Sequence, residues 1–204
     1  MSENELSEAN KLEREEAIEA VADIVVPDEE SVTEDEAEEF ANKIIRRAAS
    51  LRAVKIDRDV FLRTELKKRC PNADIERALE TTLAEAGVPA EVIDEIARSA
   101  VDFETKKCAA LSFLSGIPGG AALAATVPAD LAQYFAHVMR IEQKLAYVYG
   151  WQTFLNEDDE VDDETVMQLV VLMGVMMGVG SAASSISKFA MNVAQAGVVK
   201  TIQR

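Results

Sequence analysis

Residues 128–150 read PADLAQYFAHVMRIEQKLAYVYG, and two sets of side chains repeat through them at spacings of three and four. Asp130, Gln133, His137, Arg140 and Lys144 fall on one side of a helical period, and Leu131, Phe135, Val138, Ile141 and Leu145 on the other. A helix is expected to open at Pro128, which suits a first turn, with Asp130 placed where a carboxylate complements exposed N–H groups, and to stop at Gly150. Almost every other segment obeys the same period, and no stretch alternates apolar and polar residues as a half-buried strand would. The expected fold class is all-α: a compact multi-helix bundle.

Upstream, Thr33 and Glu36 form a capping-box pattern, followed by Phe40, Ile44, Ile45, Ala48 and Leu51 on one face, which predicts a helix over 34–54. Asp57 or Asp59 suits the start of a second helix through Arg69, stopped by Pro71. Asn72 suits the start of a third, carrying Ile75, Leu79 and Leu83 and ending at Gly87. Pro89 fits the first turn of a long helix running through Ile93, Ile96 and Ala100 towards Cys108.

The charge is segmental. Of a formal net charge of −16 over 204 residues, residues 1–42 carry 16 acidic and two basic side chains, residues 43–77 carry five acidic and 11 basic, and the remainder 16 and eight. An arm so acidic, with Phe40 as its one aromatic, is expected to remain mostly disordered over 1–33, as a solvated tail or as a mask over the basic stretch that follows. Residues 34–204 then form a single helical domain, charged and amphipathic over 34–107 and apolar over 108–204. The basic residues between Lys43 and Arg69 surround apolar helix faces, which fits internal ion pairing or an anionic lipid surface. Phe61 is the one aromatic among them, so nucleic acid is not expected as a partner. No charged leader with a short apolar core opens the sequence, so a cytoplasmic location is expected. Cys70 and Cys108 stand far apart without a C-x-x-C pair, which predicts buried thiols rather than a disulfide or zinc site.

Two segments lack charge altogether. Residues 108–129, CAALSFLSGIPGGAALAATVPA, are broken by Ser115, Gly116, Ile117, Pro118, Gly119 and Gly120, and should form a bent helical corner or a re-entrant hairpin. Their glycines are not followed by Lys-Ser or Lys-Thr, so they make no phosphate loop. Residues 165–187, TVMQLVVLMGVMMGVGSAASSIS, are long enough as a helix to match a bilayer core of about 30 Å, and Gly174 with Gly178 forms a G-x-x-x-G pair suited to close helix contact in lipid or in protein. The intervening run Asn156–Glu164 holds seven acidic residues in nine positions and is expected to be a solvated loop, since it lacks the glycine and ligand spacing of an EF-hand.

Chemistry is sparse. Asp130 and His137 with Tyr134 nearby could perform acid–base work or border a pocket for a lipid or other apolar ligand, but no nucleophile accompanies them, and a polar helix face turned to solvent or to a partner is the ordinary reading. One histidine is too little for a metal site. No catalytic residue and no cofactor is expected.

The run from Ser115 to Trp151 resembles the EcsC family in its glycine-rich apolar segment (Ser115–Gly120), its Pro128 near Asp130 and its helix closing on Tyr149 and Gly150. That resemblance covers about a fifth of the chain. It implies a helical, membrane-associated protein, linked by operon to an ABC transporter, with no established catalytic residues. Members of that family continue into another glycine-rich apolar segment, whereas this sequence stops at Arg204, so a shortened chain is expected. The reading that results is a non-enzymatic helical protein at the inner face of the cell membrane or on a partner. It acts through Gly116, Pro118, Gly119, Gly120, Gly174 and Gly178. A soluble homo-oligomer using its Met-rich face is the alternative.

Overall fold

The computed structural model describes residues 3–26, 31, 33–115, 123–152 and 163–176. The chain divides into two compact units, Met1–Val161 and Asp162–Arg204. Seven α-helices and a single 3-10 turn account for the regular structure of the described residues: α1 (Glu3–Ala20), α2 (Glu34–Ser50), the 3-10 turn Arg52–Val54, α3 (Arg58–Arg69), α4 (Ile75–Glu80), α5 (Ala90–Ser115), α6 (Leu123–Val148) and α7 (Asp163–Met176). The protein is all-α, as the period of its sequence requires.

In the first unit α6 is the central element. It packs on α5, α2 and α1, and at its far end on α3. Two apolar layers flank it. One joins α3, α4 and the start of α5 to the end of α6 through Leu62, Leu66, Leu79, Leu83, Ile96, Tyr147 and Val148. The other consists of Ile44, Ile45, Ala48, Leu51 and Val54 around α2, and Ala129, Ala132, Ala136 and Met139 along α6, all buried. Small residues on α6 at this second layer allow the two backbones to approach closely.

Local chemistry sets the boundaries. Thr33 and Glu36 form the expected capping box on α2: the Thr33 hydroxyl accepts from the Glu36 N–H, and the Glu36 carboxylate accepts from the Thr33 N–H. The helix stops at Ser50, four residues earlier than its period suggests, because Leu51 turns extended and the 3-10 turn follows. Asp57 caps α3. Asp74, not Asn72, caps α4, whose regular part ends at Glu80 before a turn that reaches Gly87 at φ +80°.

Three expectations are overturned. The acidic arm is helical from Glu3 to Ala20 and lies on α6, with Ala17 and Val21 buried and charged side chains anchoring it, so attachment to the body supplies the order that composition alone could not. Pro128 does not open α6. The helix begins at Leu123, with Pro128 and Asp130 inside it, at the loss of one backbone hydrogen bond. Asp163 and Glu164, read as loop, lie in the first turn of α7.

Gly150 ends α6 at φ +102°. Trp151 N–H returns to Ala146 O at 2.9 Å and Gly150 N–H to Tyr147 O at 3.3 Å, closing a Schellman-type cap. Arg58 donates to Trp151 O and Leu79 O, and Gln152 to Thr81 O, which ties this corner to α3 and α4. A Cβ on residue 150 would stand 2.8 Å from Thr82 Cγ2. Gly150→Ala is therefore expected to destabilise the protein by at least about 1 kcal/mol in urea denaturation. Adding Thr82→Ser, which removes that methyl, should recover the steric part only.

Candidate functional site

The face of α6 that bears Gln133, His137, Arg140 and Lys144 is buried, contrary to its expected exposure. What covers it is α5. Glu104 lies on the buried stripe of α5, in phase with Ile93, Ile96, Ala97 and Ala100, and is itself fully buried. Its carboxylate meets three successive turns of α6. Glu104 Oε2 lies 2.8 Å from His137 Nδ1, and Oε1 accepts from Arg140 Nε at 3.0 Å and from Lys144 Nζ. Because the acceptor is an ionised carboxylate, Nδ1 of His137 carries the proton.

Burial alone would raise the Glu104 carboxyl, but the hydrogen bond from His137 and the charges of Arg140 and Lys144 outweigh it and hold the pKa at about 2. Burial pushes the Lys144 ammonium down, while Glu104 pulls it back. The ammonium also sits 5.1 Å from the Phe103 ring centroid and 5.8 Å from that of Phe61, where aromatic faces replace lost water.

The same helix face satisfies the backbone of the segment joining α2 to α3. Arg140 donates to Ala53 O, Gln143 Nε2 donates to Val54 O at 2.8 Å, and Gln143 Oε1 accepts from Ile56 N–H at 3.3 Å. Irregular backbone beside the cluster is thus given side-chain partners at Ala53, Val54 and Ile56.

Beside the cluster, Gln133, His137, Arg140 and Ala136 of α6 and Glu13 and Ala17 of α1 line a cavity of about 10 Å³, completed by Leu51 and Ala53. That volume admits about one water. The buried Gln133 Nε2 has no hydrogen-bond partner, which such a water would supply. A larger cleft of about 460 Å³ lies between the segment after α1 and α2; three acids, Asp23, Glu36 and Glu39, and three bases, Lys43, Arg46 and Arg47, line it, so its formal charge is balanced.

Of the other residues singled out from the sequence, Asp130 pairs with Arg14 at 3.1 Å rather than with His137. Tyr134 is exposed and packs edge-on against Phe135. Asp130, Tyr134 and His137 therefore share no pocket. Tyr149 is exposed and Gly150 forms the helix cap. Gly174 lies within α7, whereas Gly116, Pro118, Gly119, Gly120 and Gly178 lie outside the described residues. The basic residues are paired mainly within the body, Arg63 with Glu76 and Arg69 with Glu65 and Glu95, while the arm contributes Asp23 to Arg47. Cys70 and Cys108 form no disulfide and are half-buried rather than buried. Among the described residues no group of acidic, histidine or cysteine side chains could hold a metal ion.

Sequence reasoning missed Glu104 and Glu142. Each falls in register with an apolar stripe, Glu104 as above and Glu142 with Phe135, Val138, Leu145 and Tyr149, and an acid in phase with a buried stripe is the signal available. Glu142 is buried, both its carboxylate oxygens lack partners, and burial lifts its pKa to about 8.

No family model, curated protein or solved structure matches the chain.

These two carboxyls give opposite pH dependences. The folded pKa of Glu104 is depressed, so its contribution is present above about 4.5 and is lost as pH falls towards 2; Glu104→Gln should cost about 3–5 kcal/mol at pH 7 by leaving buried cations uncompensated. The folded pKa of Glu142 is raised, so stability falls between about pH 4.5 and 8, by up to about 1.4 kcal/mol per pH unit. Glu142→Gln should accordingly raise the melting temperature at pH 9, with the gain shrinking towards pH 4.5; equal gains at both pH values would show that Glu142 is not protonated in the fold.

Proposed function

We propose that this is a non-enzymatic helical protein that works by contact, docking its uncharged carboxy-terminal segment on a membrane surface or a protein partner. The observation that carries this reading is α7. Beyond its first turn the helix bears no charged side chain through Met176, yet Met167 is 65% and Val170 38% exposed. Flexible, polarisable methionine is the side chain best suited to an apolar surface of no fixed shape. No helix among the described residues is long and apolar enough to cross a membrane, so the proposed contact is peripheral. The resemblance to the EcsC family, carried by Ser115–Gly120, Pro128, Asp130, Tyr149 and Gly150, points the same way, to the inner face of the cell membrane.

The polar cluster supports a structural role rather than turnover. The Glu104 carboxylate is taken up by Arg140, Lys144 and the His137 ring, and a cavity of about 10 Å³ beside His137 leaves no room for a substrate or a lipid there. A hydrophobic-ligand pocket at Asp130, Tyr134 and His137 is correspondingly disfavoured.

Flotation with neutral and anionic liposomes tests the reading. The protein is expected to float, and Met167→Asp with Val170→Asp should cut the floating fraction several-fold while leaving the circular dichroism unchanged. A chain that stays at the bottom of the gradient but scatters light as more than one protomer would instead assign the α7 surface to self-association; one that is monomeric and does not float would end the membrane and self-association versions together.

A further inference from the structure

The structure places α1 as a roof over the Glu104–His137 pair, and its attachment differs in kind from that of the other helices. Among the described side chains of α1, Ala17 is the buried apolar one, joined by Val21 just past the helix, whereas Leu12 and Ile18 face outwards. The remaining anchors are polar. Arg14 reaches Asp130 at 3.1 Å, Glu13 accepts from Lys107 at 2.5 Å, and Glu16 accepts from the Arg52 backbone N–H at 2.8 Å. Just after the helix, Asp23 pairs with Arg47 at 3.0 Å. The roofed space is the one-water cavity whose walls are Glu13 and Ala17 on one side and Gln133, His137 and Arg140 on the other.

An element with so little apolar burial lies at the low end of local stability, and attachments of this ionic kind weaken as salt screens them. We propose that α1 is a releasable cover, held by ion pairs, whose departure opens the Glu104–His137 site to solutes while α5 and α6 stay folded. Release uncovers the amide of Gln133, whose Nε2 has no partner and whose Oε1 accepts from Arg14, the edge of His137 and the ammonium of Lys107, which loses the carboxylate of Glu13 in the same step. The site is thus closed by a segment of its own chain. This inference is independent of the membrane reading, since it concerns the first unit alone.

His137 is the only histidine in the sequence, so its modification by diethyl pyrocarbonate, followed at 240 nm, reports access to this one site. At 3% exposure, beside a space fit for one water, it should react slowly in dilute buffer. Raising sodium chloride to 1 M should accelerate the reaction several-fold. Arg14→Glu, which places a like charge opposite Asp130, should accelerate it on the order of tenfold, the effect of a loss of about 1.4 kcal/mol. Arg14→Glu with Asp130→Arg should return it towards the wild-type rate. Hydrogen exchange on the same samples should show α1 amides losing protection while those of α6 keep theirs. A rate indifferent to salt and to Arg14→Glu would overturn the proposal. So would modification that appears only when α6 loses protection as well, because His137 would then be reached by global unfolding.

Discussion

Glu104 is the constraint from which the first unit is organised. Helix α6 presents His137, Arg140 and Lys144 to the interior, and charges taken out of water are tolerable only when opposed at hydrogen-bond distance. One carboxylate on α5 opposes all three. That fixes the register of α5 on α6, because a shift of one residue would put Glu104 out of phase with its own apolar stripe and leave Arg140 and Lys144 without their counter-charge and His137 without its acceptor. Arg140 also reaches Ala53, and Gln143, three residues further on, reaches Val54, so the passage from α2 to α3 is pinned by the helix that Glu104 holds in place. Ion pairs of this sort add little net stability compared with apolar packing, but they penalise every alternative packing severely.

The helical class, the capping box at Thr33, the Asp57 cap and the termination at Gly150 were all legible in the sequence, since each depends on residues within a few positions of one another. The burial of the polar face of α6 was not. Asp130, Gln133, His137, Arg140 and Lys144 look like a solvated stripe until one knows that Glu104 stands 33 residues before His137 and meets it. Long-range pairing of charges leaves no local trace except an acid out of place, and Glu104 is such an acid. The arm misleads for a related reason. Its composition argues against autonomous order, and it has none to itself; Ala17, Val21 and the partners of Glu13, Arg14 and Glu16 lie on other helices and on the turn between α2 and α3.

Glu142 stands apart from this economy of opposed charges. A carboxyl buried without a donor persists at neutral pH as the neutral acid, which removes the ionic penalty but leaves the hydroxyl and carbonyl unsatisfied. It interrupts an otherwise apolar stripe of α6 in which Phe135, Val138 and Leu145 are partly buried and Tyr149 is exposed. The helix therefore carries charge neutralised by a partner on one face and charge suppressed by protonation on another.

Pro128 gives α6 a seam. Without an N–H at that position, the carbonyl of Ala124 receives no bond from the following turn, and residues 123–127 join the helix through one link fewer than any later turn. The helix as a whole packs on α5, α2, α1 and α3; the continuity of its own backbone ladder is weakest at the proline. The first five residues of α6 thus lean less on the backbone ladder than any later turn of the helix.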